Sequence, residues 1–128
     1  MTTSNVAEAR RLHAALSDFF TRHHGALPDF RGRARVLGLC ESAEQAVDDA
    51  YCRERLRVTA EYASEMLSKR DHSRWGRDSS SGVEFLRQQI LNALELYASR
   101  LYSLEALRAS RAAKEKIQWM TPSNIVQS

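Results

Sequence analysis

Helix breakers are scarce in this chain, and their scarcity decides the fold class. Its five glycines (25, 32, 38, 76 and 82) and two prolines (28 and 122) leave long stretches with nothing to turn the backbone. An all-β fold needs a turn about every ten residues and is excluded. No apolar run approaches the roughly 18 residues that cross a bilayer. Met1 to Asn5 lacks the charged and apolar regions of a secretory leader. Cysteine is limited to Cys40 and Cys52. On one helix they would lie about 18 Å apart, beyond disulfide reach, and they read as small buried side chains in a reducing compartment. The expectation is a cytoplasmic chain without membrane contact.

Recognisable chemistry is also lacking. A carboxylate-bridged metal site in a bundle needs Glu-x-x-His pairs. The residues three before His13, His23, His24 and His72 are Arg10, Phe20, Thr21 and Lys69. No His-x-x-x-His or Cys-x-x-Cys spacing occurs, nor a glycine-rich phosphate loop or a Gly-x-Ser-x-Gly elbow. His13 is not followed by the Lys-Gly of phosphotransfer bundles, and no Arg-His pair has the spacing of helical ribonucleases. His23 and His24 suit the C-terminal dipole of the first helix. Neither metal nor cofactor is expected, and a catalytic role is set aside.

What is present points to helices. The 128 residues are the size of one domain, and 43% apolar with 27% charged residues is a globular balance. The net charge is +3, and 16 of the 19 basic residues are Arg, the other three being Lys69, Lys114 and Lys116. A first helix opens at Ser4 or Asn5, where Asn5 and Glu8 have capping-box spacing. It carries Leu12, Leu16, Phe19 and Phe20 as a stripe and stops at Gly25. Ala26 to Arg35 reads as a connector with Pro28-Asp29 as turn material. The second helix either begins near Arg35 or is capped at Ser42 with Gln45, and runs to about Arg70. Its stripe slips between Ala50 and Leu56, six residues instead of seven, so a bend is expected near Cys52. Asp49 and Arg53 have the spacing of a helical ion pair.

The third helix opens at Ser81, with Glu84 completing a capping box. It follows Val83, Leu86, Ile90, Leu94, Tyr97, Leu101 and Leu104, and continues to about Trp119 before Thr121-Pro122. The expected protein is all-α: one helical domain over residues 1–120 and a flexible tail over 121–128. A shorter N-terminal helix packs on a long antiparallel hairpin. Helices of some 45–57 Å outrun a compact domain of this size, and the first helix cannot cover both partners. Either a long helix is broken near Cys52, or the hairpin hides its stripe against a second copy; the shortness of the first helix favours a homodimer completing a larger bundle.

The loop Asp71 to Ser81 carries the most pointed constellation. Lys69, Arg70, Arg74 and Arg77 flank Trp75, with Asp71 and Asp78 opposing them. Trp and Arg dominate protein interface hot spots, and the same pair can stack a base and hold a phosphate. Without a ligand, Lys69 and Arg70 would complement a helix C-terminus while Trp75 folds over the hairpin end. Arg108, Arg111, Lys114 and Lys116 are spread around the last helix and read as solvated surface. These features point to a non-catalytic interaction module (an adaptor, chaperone, antitoxin-like or regulatory protein) with an unidentified protein partner. A nucleic-acid-binding regulator using Trp75 is the alternative.

Overall fold

The computed structural model describes residues 5–23 and 27–120, with side chains as far as Lys116. Four α-helices run in chain order: α1 (Val6–Arg22), α2 (Phe30–Ala46), α3 (Ala50–Ser68) and α4 (Ser79–Met120), with a short 3₁₀ turn at Ser73–Trp75 before α4. No strand occurs among the described residues. Each helix packs on its two neighbours in the ring α1–α2–α3–α4–α1. The joints show the antiparallel sense. At one end the Asn5 N–H donates to the Ala46 carbonyl; at the other, Asp29 N–H donates to Leu67 and the Arg87 guanidinium to Phe20 and Thr21. This is an up-and-down four-helix bundle.

The expected second helix is two helices. Val47 and Asp49 adopt extended backbone, and the Asp49 carboxylate accepts from the Cys52 N–H at 3.0 Å to cap α3. The break falls three residues before Cys52, and Asp49 is an N-cap instead of a helical partner for Arg53. Ser42 and Gln45 lie inside α2, so that capping box is not used. Val47 is buried and anchors the corner in the core. Cys40 and Cys52 thus sit on different helices, both as free buried thiols. The connector read over Ala26 to Arg35 is shorter than expected, because Asp29 caps α2 through Gly32 N–H and Arg31, Arg33 and Arg35 are helical. Gly25, Ser4 and the 121–128 tail lie outside the described residues.

The break changes how the core is completed. Leu12, Leu16 and Phe20 of α1, Val36 and Cys40 of α2, Leu56 and Met66 of α3, and Leu86, Ile90, Leu94, Tyr97 and Leu101 of α4 converge as one buried cluster. The stripe of the hairpin is covered by α1 and α2 of the same chain as far as Leu101. An uncovered stripe was the reason for expecting a second copy, and within the bundle that reason falls away.

One glycine opposes the fold without serving it. Gly38 stands in the middle of α2, and a Cβ added there meets nothing within 4 Å. Gly38→Ala is expected to stabilise the protein by about 0.5–1 kcal/mol, through the lower backbone entropy cost of alanine in a helix. Thermal unfolding checks it: the midpoint should rise by roughly 2–4 °C.

Candidate functional site

The structure gathers part of the expected constellation at the hairpin end. Trp75 is half-buried against the core. Its indole N–H donates to Glu65 Oε1 at 3.1 Å, and Lys69 Nζ reaches the same oxygen at 3.1 Å. The Trp75 and Lys69 contacts together hold the Glu65 carboxyl below the usual range. Arg74 places its guanidinium 5.2 Å from the indole centroid. Phe85 stacks on Trp75 at 6.0 Å, and Tyr62 meets it edge-on at 5.9 Å. Lys69, Arg74 and Trp75 are therefore brought together around Glu65. Arg70 and Arg77 are exposed and have no acidic partner among the described residues.

The loop beneath Trp75 is built from its own polar groups. Buried His72 donates from Nε2 to the Met66 carbonyl at 2.9 Å, and its Nδ1 has no partner among the described residues. The His72 N–H reaches Ser79 Oγ, and the His72 carbonyl accepts from the Trp75 N–H. Asp71 caps Ser73 through backbone and hydroxyl. Asp78 accepts from the Ser81 N–H at 2.8 Å while Ser81 Oγ accepts from the Asp78 N–H, a reciprocal cap. The helix thus begins at Ser79, with Ser81 as the third residue of its first turn and not as its cap. A base stacking on Trp75 would have to displace Arg74 or Phe85.

At the opposite end α4 leaves the bundle. Its 42 residues make it about 63 Å long, whereas α1 and α3 have 17 and 19. Among the described side chains Leu101 is its last buried residue, and every residue from Ala106 to Lys116 is exposed. The backbone continues as helix to Met120, roughly 22 Å past Glu105. The root of this arm is fixed twice. Arg100 makes a two-pronged contact with Asp49, with Nη2–Oδ1 at 2.8 Å and Nε within 3.2 Å of Oδ2, and Arg10 pairs with Glu105. The Arg100 guanidinium holds the Asp49 carboxyl down at about 2 against the opposing effect of burial.

Two grooves flank the arm where it emerges. One, of about 640 Å³, runs between Asn5, Val6 and Ala7 on one side and Arg108, Ala109 and Ala112 on the other. The second, of about 270 Å³, has Val6, Val47, Leu104 and Leu107 as its apolar lining, beside Asp48, Arg108 and Arg111. Arg108 and Arg111, expected as solvated surface, are exposed and also border these grooves. The available signal was the stripe itself, which ends at Leu104 while the helix runs on to the region of Trp119.

The interior offers little reactivity. His13 packs against Tyr97 with ring centroids 6.1 Å apart, and burial pushes the His13 pKa down. The Tyr97 hydroxyl is buried without a partner among the described residues, and burial raises its pKa. Burial also pushes the Cys40 and Cys52 thiols up to about 12, which leaves almost no thiolate at neutral pH. No cluster of three or more His, Cys, Asp or Glu among the described residues could hold a metal ion. No helix among them is long and apolar enough to cross a membrane.

Fold and site together define a class: a four-helix bundle with a projecting helical arm. No protein family has a profile matching this chain, and no curated protein or solved structure matches it.

Proposed function

We propose that this chain is a non-catalytic helical interaction module, of adaptor or regulatory type, whose docking element is the free end of α4. The carrying observation is the continuous exposure of α4 from Ala106 to Lys116, beyond a core that is already complete at Leu101. A lone helix of about 15 residues is marginal in water and draws its stability from packing. Covering the arm with a partner therefore orders it and hides Leu107, which is 53% exposed. The free thiols of Cys40 and Cys52 support a reducing compartment, the cytoplasm.

The nucleic-acid reading of the Trp75 loop is the weaker one. Its indole N–H is committed to Glu65 and its ring already stacks with Phe85. Only Arg70 and Arg77 remain as uncommitted cations beside it.

A photo-crosslinking residue at Ser110 on the arm, compared with one at exposed Glu61 on the bundle, tests the proposal. In cell extract, adducts with another protein are expected at position 110 and not at 61. Equal labelling at the two positions, or none at either, would refute the assignment of the arm.

A further inference from the structure

We infer that the smaller groove at the root of the arm receives an acidic amphipathic helix of the partner protein, an inference that rests on the interaction-module reading above. Val6, Val47, Leu104 and Leu107 supply an apolar trough, with Arg108 and Arg111 on its rim. The two arginines lie three residues apart, so they share a helix face at about 5–6 Å spacing. That spacing matches carboxylates three or four residues apart on a facing helix. Neither arginine has a hydrogen bond or ion pair among the described residues. The groove also carries one carboxylate, Asp48, which pairs with Arg53 at 2.8 Å, and the neighbouring Glu105 pairs with Arg10, so the two arginines remain its unpaired charges.

Charge and shape select among the occupants. A second copy would offer this groove an arm carrying Arg108, Arg111, Lys114 and Lys116 against Glu105 and Glu115, setting cations against cations. A nucleic-acid backbone would satisfy the two arginines and leave Leu104 and Leu107 without a counterpart. An acidic helix with one aliphatic stripe satisfies both, by the groove-docking mode in which apolar side chains three and four apart serve as anchors.

The test uses the full chain and a labelled acidic amphipathic peptide of about three heptads, with leucines on one face and glutamates beside them, read by fluorescence anisotropy. Binding is expected to weaken about tenfold or more in Arg108→Glu/Arg111→Glu, and to return when lysines replace the glutamates of the peptide. Arg70→Glu/Arg77→Glu, at the other end, should leave it unchanged. Absence of binding, or binding indifferent to the charge reversals, overturns the inference. So does a concentration-dependent dimer in sedimentation that Leu107→Glu abolishes, or preference for a duplex DNA probe over the peptide. If the Ser110 crosslinks persist in Arg108→Glu/Arg111→Glu while the peptide does not bind wild type, this inference fails and the module reading stands.

Discussion

Replacing Gly82 by alanine is expected to destabilise the protein by about 3 kcal/mol or more, the upper range for overpacking against groups that cannot move aside. Gly82 lies in the first turns of α4, and its Cα faces the backbone of His72. An added Cβ would lie inside the His72 carbonyl oxygen, 2.6 Å from the carbonyl carbon and 3.0 Å from the His72 Cβ. Backbone atoms cannot rotate away, so either α4 or the 71–78 loop must shift. A shift of the loop takes the His72 ring from the Met66 carbonyl and the His72 N–H from Ser79 Oγ, leaving buried polar groups unpaired. Denaturant unfolding measures the cost. Trp75 emission, in a Trp119→Phe background so that one indole reports, should shift toward that of a solvated ring. A variant as stable as wild type would show that the loop does not approach α4 as closely as this. Gly38→Ala is the contrast, the same methyl with the opposite sign.

Asp49→Ala should be the most damaging change at the other end, costing about 2–3 kcal/mol by loss of a helix N-cap together with charge-assisted hydrogen bonds. The Asp49 side chain is 11% exposed, while Arg100 is 38% exposed and regains water when its partner is removed, which limits the penalty. The same residue sets an acid limit. Its carboxyl ionises near 2 in the folded protein and near 3.9 in an unfolded chain. The unfolded state therefore binds the proton more readily, and the contribution of Asp49 is complete above about pH 5. It fades as the pH falls through 4 towards 2. The gap in stability between wild type and Asp49→Ala should accordingly narrow over that window. A gap that stays constant from pH 7 to pH 2 would show that the carboxylate charge plays no part.

Sequence reasoning reached α1 and α4 because both carry strong local signals: a cap at one end and large apolar residues every three or four positions. Phe20, Ile90 and Tyr97 are buried where their spacing placed them. It failed on α2, whose inward face is Val36, Cys40 and Ala43. Cys40 and Ala43 stood on the expected stripe, but the first turns, Phe30 to Arg35, carry Gly32 and alternate arginines and read as a connector. The bend expected near Cys52 is a full break at Val47 to Asp49, and its exact place was not legible. Ser42 and Gln45 have the same local capping signature as a real helix start, and what favours Asp49 is Arg100, 51 residues further along. No window of sequence contains that choice.

The candidate site divides along the same line. Trp75 and its cations stood out by composition, but Glu65, Tyr62 and Phe85 meet the indole only once α3 and α4 lie side by side. Those partners turn an open platform into a half-closed one. The arm was legible as a mismatch of lengths between helix and stripe. Its meaning depended on knowing that the bundle closes by Leu101, and that depended on the chain turning fully back at Val47 to Asp49.

Considered mechanically, α4 is a rod held at two fulcra. One is its first turn, locked by Asp78 and seated on His72, and the other is the Arg100 grip on Asp49. A load on the free end bears on the Arg10–Glu105 pair and then on the Asp49 fulcrum. That fulcrum stands on the corner between α2 and α3, so strain passes into the opposite half of the bundle before it travels up the rod. The Trp75 loop lies at the far end of the rod from the arm, beyond the packed length from Leu101 back to Val83.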